Sequence, residues 1–392
     1  MLPGNLNIFF MTIVHFGFFS ADRVNGVSTY VTSLAKKQVL LGHSVIFCYI
    51  GKDADNNYTD ENGVSVYQFK SNLLVVLKKI IRIGRNDMMA SLPKSLKLFI
   101  DQLPPDTIFS FHSVFIHTNQ MIAKYLYKKK LNYFITPHGG YSENVFKKNK
   151  VFKKVYYNLF ENDYIQKAKN IITCSDFEAE DISRLTPSNK IKLVYNFIEP
   201  PTLSVEKVNT QSVDNKIKII YLGRYNYHQK GMDRILDFFS KIIIIDKEIE
   251  LHFYGAGGDL KQMETDIAKL DIAKNVFIHS PIYGMDKFKV LAQYDGFIHL
   301  SRHEGLSISM IEAVFVGLPL IVTKECNFNE FINKCGGGFI VESFELEEAK
   351  KLVQSLRNKQ WVTEAKEGLK NMFDTHFNIE TNTKKLFEVY AN

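Results

Sequence analysis

The sequence predicts an α/β protein of two doubly wound domains that face a cleft. Three observations predict it. Short apolar runs alternate with helical patterns in both halves of the chain, which marks a parallel sheet with helices on both faces. Pro200-Pro201 and the polar run after them break that series once, near the middle. The chain's 392 residues are also too many for one compact core.

Asn7–Val14 reads as the first strand. The longer run Leu6–Phe19 around it is not a secretion signal: it has no basic leader, contains His15 and Gly17, and precedes no small-residue cleavage pattern. Val27–Leu41 has helical apolar spacing. Ser44–Ile50, Thr107–Phe111 and Tyr133–Thr136 read as further strands, with Ile171–Cys174 and Lys192–Tyr195 closing the half. The first domain is thus 1–200 and the linker 201–215. A second series starts with Ile217–Leu222 and continues through Leu251–Tyr254, Val276–His279, Phe297–Leu300 and Leu320–Val322. It makes the second domain 216–372, and the segment 373–392 is a helix expected to pack back toward the first.

With 45% apolar and 23% charged residues the composition is that of an ordinary soluble protein. No apolar stretch reaches the ~18–20 residues of a membrane span. Cys48, Cys174, Cys326 and Cys335 are scattered without metal-like spacing, which fits a reduced, cytoplasmic setting. Residues 1–200 hold 25 Lys+Arg against 16 Asp+Glu, a net of +9, while the rest hold 24 against 26, a net of −2. A basic first half suggests contact with something anionic, or a lysine-rich solvated surface. The stretch Leu73–Ile83, with Lys124–Lys130 and Phe146–Tyr157, mixes Lys/Arg with apolar residues. It reads as an anionic membrane contact or as ordinary helices with one buried face. Asp53 and Asp55 form an acid pair in a polar loop without other ligands and read as solvated. No nucleic-acid-binding signature is present.

The most informative segment runs from Glu304 to Glu312. Glu304 follows the strand Gly296–Leu300, and Glu312 lies on the helix that Gly317 and Pro319 should end. Between them is a helix start with free N–H groups and partial positive charge, a ready anion site. From Ser307 to Glu312 the helix advances roughly 7–8 Å, about the reach from a phosphate to a ribose edge. A nucleotide-sugar has that pattern of hydroxyls, diphosphate and ribose.

Arg224 and Lys230 share the loop after the first strand of the second domain. Such a pair can hold a diphosphate, Arg as a fork and Lys as a point charge, or can simply face solvent. Gly255 opens a glycine turn after the next strand, and Ile282 follows the one after; both are candidates for contact with a nucleotide base. In the first domain, Gly26 precedes the first helix and permits close approach of phosphate or sugar there. His138 ends a strand before Gly139-Gly140, at the expected cleft.

Taken together, Gly26, Pro137-His138-Gly139, Gly223-Arg224 with Lys230-Gly231, and the Glu304 to Glu312 spacing resemble the retaining glycosyltransferases of the GT-B fold, family four. The resemblance covers essentially the whole chain and is most specific over 217–323. It implies two Rossmann-like domains, with Glu304 on donor sugar hydroxyls and Glu312 on the ribose. Arg224 and Lys230 would neutralise the diphosphate, and backbone N–H groups around Leu306, Ser307 and Ile308 would hold it. His138 would touch the sugar near the reacting carbon. Ser307 and Asn25 stand where the family often has glycine, so each adds a side chain near the donor. The resemblance further implies a front-face mechanism with retained configuration, a UDP-sugar as favoured donor, no cofactor and no essential metal. The basic, aromatic-rich first half adds a lipid-linked glycan acceptor at the cytoplasmic membrane face, as in cell-surface polysaccharide synthesis. The competing readings are another GT-B enzyme, a phosphorylase or an epimerase, and a non-catalytic nucleotide-sugar-binding protein.

Overall fold

The computed structural model describes residues 10–17, 26–51, 53–71, 91–142, 145, 150–201 and 215–392. The stretch Leu73–Ile83, most of the linker, Asn25 and the start of the expected first strand lie outside the described residues. The chain divides into two compact units, Met1–Val194 with Thr383–Asn392, and Tyr195–Asn382.

The first unit holds an eight-stranded sheet. Its strands are β1 (Thr12–Phe16), β2 (Ser44–Gly51), β3 (Asn56–Thr59), β4 (Ser65–Lys70), β5 (Ile108–His112), β6 (Tyr133–Thr136), β7 (Asn170–Thr173) and β8 (Ile191–Leu193). The order is β3-β4-β2-β1-β5-β6-β7-β8, parallel throughout except for the antiparallel β3–β4 pair. Strands covered on both faces must be apolar almost throughout, and four of the five residues of β1 are buried. The strand ends at Phe16 rather than Val14 because it pairs on both sides as far as Phe16, with Cys48 and with Phe111. The β3–β4 hairpin was not expected: Asn56–Thr59 is wholly exposed and carries no apolar alternation. Asp55 and Asp53 are exposed, and Asp55 accepts from Lys70 N at 2.6 Å. The last ten residues belong to this unit, with the Phe387 ring on His43 and the Tyr390 ring on Phe134.

The second unit holds six parallel strands: β9 (Ile217–Leu222), β10 (Ile249–Tyr254), β11 (Val276–His279), β12 (Gly296–His299), β13 (Leu320–Val322) and β14 (Gly338–Ile340). Their order, β11-β10-β9-β12-β13-β14, is that of a doubly wound dinucleotide-type sheet. The helix Met232–Ile245 covers one face with Met232, Ile235, Leu236, Phe238, Phe239 and Ile242, all fully buried. β14 was not expected because its three residues after a glycine run are too short to show a strand pattern. Tyr195–Pro201 packs with this unit: Phe197 and Ile198 are buried, and Asn196 Nδ2 donates to Leu306 O at 2.8 Å.

Candidate active site

The second sheet reverses its winding at β9, which lies between β10 and β12. Open sheets of this kind bind ligands outside the strands' carboxyl ends at that switch point. The loops after β9 and β12 carry Arg224, Lys230 and Glu304.

Lys230 ends a short helix, Tyr227–Lys230, whose start is capped by Asn226 Oδ1 accepting from Gln229 N at 2.7 Å. Gly231 follows at φ +66, and a Cβ there would lie 2.4 Å from the Leu300 carbonyl oxygen. Only glycine lets this loop lie against the end of β12. Lys230 Nζ then donates to Glu304 Oε1 at 2.6 Å, with the two side chains only 12% and 7% exposed. Ser301 Oγ donates to the same oxygen at 2.8 Å, and His299 Nε2 lies 3.3 Å from it. Among the described residues Glu304 Oε2 takes no hydrogen bond. Burial alone would raise the Glu304 carboxyl, but the Lys230 ammonium and His299 reverse this and hold it well below the usual carboxylate range. Glu304 is therefore a carboxylate with one free oxygen, and Lys230 keeps two unused N–H donors.

The loops around this pair are braced. Arg302 Nη1 and Nη2 donate to the two Asp233 oxygens at 2.8 and 2.5 Å, and Nη1 also to Tyr227 O at 2.6 Å. Asn327 Nδ2 donates to Glu304 O and Gly305 O at 2.6 and 2.9 Å. Leu306 and Ile308 are buried beside them. Ser307 begins the helix Ile308–Val316 but does not cap it; its hydroxyl meets Ser309 Oγ at 3.0 Å. Of the remaining carboxylates, Glu312 is buried on that helix and ion-paired with Lys287 of the helix Asp286–Leu291. Burial raises its carboxyl, and Lys287 opposes this only in part.

Lys230 and Glu304 are thus in direct contact. Arg224 stands on the same loop but is exposed, its Nη2 3.4 Å from Gln229 Oε1. Gly255 has a packing reason within the fold: a Cβ would lie 1.9 Å from Gly223 O, so glycine lets the loop after β10 lie on the loop after β9. Ile282 is half-buried just beyond β11. Sequence reasoning missed Lys287, Ser301, His299 and Arg302. Lys287 lies on the helix Asp286–Leu291, and nothing local in the sequence ties it to Glu312.

In the first unit Gly26 is the opening residue of the helix Gly26–Leu40. His138 lies just past β6, half-buried, with φ +54, the left-handed region. Its turn is fixed by Gly139 N donating to Glu178 Oε1 at 2.5 Å and by Tyr141 OH donating to Glu161 Oε1 at 2.6 Å. Burial lowers the His138 imidazole to about 3, so it is neutral.

Residues 24–200 match the family Glycosyltransferase Family 4, and residues 205–371 match Glycosyl transferases group 1. The chain belongs to the GT-B glycosyltransferases of family four. The chain is 21% identical over 225 residues to the GDP-mannose:cellobiosyl-diphosphopolyprenol alpha-mannosyltransferase of Xanthomonas campestris, covering 57% of each chain. It is 22% identical over 253 residues to the poly(ribitol-phosphate) alpha-N-acetylglucosaminyltransferase of Staphylococcus aureus, covering 62% of this chain and 48% of the relative. The chain thus spans about half the length of these curated relatives. The Anabaena protein Alr3699/HepE, solved with UDP and glucose, shares the fold with a TM-score of 0.71 at 15% identity over 97% of this chain and 100% of its own. Sucrose-phosphate synthase from Thermosynechococcus elongatus does so with a TM-score of 0.74 at 13% identity over 97% and 98%. No described helix of the chain is long and apolar enough to cross a membrane.

Proposed function

We propose that this glycosyltransferase moves a sugar from a nucleoside diphosphate donor, a UDP-sugar by preference, to a hydroxyl of a lipid-linked glycan, with retained anomeric configuration. The observation that carries the reading is the buried Lys230–Glu304 pair, with one free carboxylate oxygen and two unused ammonium protons at the switch point of the sheet. The free oxygen accepts from sugar hydroxyls. The unused protons, Arg224 and the uncapped start of the helix Ile308–Val316 meet the diphosphate, and Glu312 meets the ribose. His138 contacts a sugar hydroxyl.

In the reaction the bond from the anomeric carbon to the diphosphate oxygen breaks as the acceptor oxygen bonds that carbon from the same face. The acceptor proton passes to the departing phosphate oxygen. The protein stabilises the growing diphosphate charge, and each such preorganised group is worth ~2.7–4 kcal/mol in the transition state. No cofactor or metal is required in this scheme.

The acceptor assignment is supported by one relative's name, which specifies a diphosphopolyprenol-linked sugar. It is supported also by Val151, Val155 and Leu159, four residues apart and 78%, 51% and 65% exposed beside the exposed Lys154. Such a stripe suits the cytoplasmic face of an anionic membrane.

A panel of nucleotide-sugars tested by thermal stabilisation, then by transfer to a polyprenol-linked glycan with the product anomer read by NMR, tests the proposal. At a hundred times its dissociation constant the right donor stabilises the fold by about 2.7 kcal/mol. A panel in which no nucleotide-sugar stabilises the protein would sink the proposal.

A further inference from the structure

We infer that Gln38, His15 and His112 form a line of hydrogen bonds that fixes the tautomer of His138, so that His138 Nδ1 meets a ligand hydroxyl as an acceptor. The inference rests on the reading of His138 as a sugar contact, although the tautomer itself can be read without any sugar.

The line follows from the sheet. β1, β5 and β6 are neighbours, and their carboxyl ends carry His15, His112 and, two residues past β6, His138. His15 Nε2 is 2.8 Å from Gln38 Oε1, His15 Nδ1 is 3.0 Å from His112 Nε2, and His112 Nδ1 is 3.1 Å from His138 Nε2. His15 and His112 are 0% and 1% exposed. The Tyr30 ring stands edge-on to His138, 5.3 Å between centroids at 69°, and limits its rotation.

All three rings are neutral. Burial lowers His15 to about 4 and His138 to about 3, and burial with the two flanking histidines takes His112 well below its ordinary value. A neutral imidazole has one N–H and one lone pair. Three rings thus supply one proton for each of the three contacts. The Gln38 amide oxygen can only accept, so His15 carries its proton on Nε2 and accepts at Nδ1. His112 therefore donates from Nε2 and accepts at Nδ1. His138 then donates from Nε2, and its Nδ1 keeps the lone pair. Reversing one bond alone would set two protons or two lone pairs against each other in a buried place, where an unsatisfied polar group is costly. The three tautomers therefore move together, and Gln38 decides their direction. Gln38, His15 and His112 are positioning residues that act through His138.

The test uses the full chain labelled in histidine. Nitrogen NMR should show His138 with a protonated Nε2 and an unprotonated Nδ1, the signals assigned by their loss in His138→Ala. In Gln38→Met the two His138 nitrogens should move toward averaged shifts. Kinetically, Gln38→Met should lower kcat/KM about tenfold in the native background and less than about twofold in a His138→Ala background, because the two residues act as a unit. Equal losses in both backgrounds would mean that Gln38 serves only the fold, and would overturn the inference. So would a native His138 that carries its proton on Nδ1. If Gln38→Met does not fold, the native spectrum decides. A native protein with the expected spectrum that transfers no sugar would instead count against the proposed function alone.

Discussion

The two units hold several of their most deeply buried polar groups in different ways. The second uses ion pairs: Lys230 with Glu304 and Lys287 with Glu312. In the first, three histidines and Glu161 are held by neutral groups, although its buried Asp181 is ion-paired with the exposed Arg184 at 3.6 Å. His15, His112 and His138 are uncharged, and the wholly buried Glu161 is met by Phe115 N at 3.0 Å, Tyr141 OH at 2.6 Å and Gln120, none of them a cation. On the proposed function, the ion pairs suit a diphosphate and the neutral groups suit hydroxyls. A diphosphate that gains charge as it leaves needs fixed cations, which are worth most in a buried, preorganised setting. Sugar hydroxyls need only donors and acceptors held at set angles, and neutral groups supply these without the desolvation penalty of an ion.

The sharpest way to break this comparison is Lys230→Ala. Turnover should fall about 10²–10³-fold, because a transition-state contact is lost. The structure adds a consequence that the loop position alone does not show. Glu304 would be left buried without its cation, which destabilises by about 3–5 kcal/mol. Adding Glu304→Gln should restore most of that stability and none of the turnover. Urea unfolding followed by Trp361, the chain's single tryptophan and part of the second unit, reads the stability. Native turnover in Lys230→Ala would show that the ionic character of the second unit has no part in transfer.

The pH dependence should differ between the units. Burial raises the Glu161 carboxyl to about 7, despite the hydrogen bonds from Phe115 N, Tyr141 and Gln120 that favour its charged form. A folded value above the unfolded one means that the native state binds more protons between the two. Stability of the first unit should therefore fall as pH rises from about 4.5 to about 7, by about 3 kcal/mol in all. Glu304 has the opposite sign: its folded value is depressed, so its contribution is present above the unfolded value and is lost as pH falls. Hydrogen exchange in β5 and β6, compared with Trp361 fluorescence across that range, separates the two. Glu161→Gln should flatten the first unit's profile and leave the second's unchanged.

The parts of the molecule legible in the sequence were those whose cause is local. Ile219–Leu222 and Leu320–Val322 are apolar throughout because both faces of a parallel strand are covered, so they read directly as runs. Lys230 and Glu304 were legible because each follows such a run at a carboxyl end. What failed to show was pairing across distance. His15 and His112 are 97 residues apart, His112 and His138 are 26 apart, and nothing local joins His138, legible as a site candidate, to the other two. Lys287 and Glu312 belong to different helices, and no local pattern joins them. The β3–β4 hairpin stayed hidden because an exposed edge strand needs no apolar residues.

Arg224 sharpens the comparison from the weak side. Sequence reading gave it the same weight as Lys230, since both are cations on one loop. The structure separates them: Lys230 is nearly buried against Glu304, whereas Arg224 is exposed and its guanidinium stands 3.4 Å from a glutamine amide oxygen. An exposed side chain with that single long contact adds little to the fold, so Arg224→Ala should leave the urea midpoint within about 0.5 kcal/mol of native. If it grips the diphosphate it should still lower kcat/KM by about tenfold, the loss of one charge-assisted bond worth roughly 1.5 kcal/mol. That loss should shrink as salt is raised, because water and ions screen an exposed charge and leave a buried one largely untouched. A salt-independent loss would place Arg224 with the buried ion pairs, and no loss at all would leave Lys230 and the helix start as the whole of the diphosphate grip.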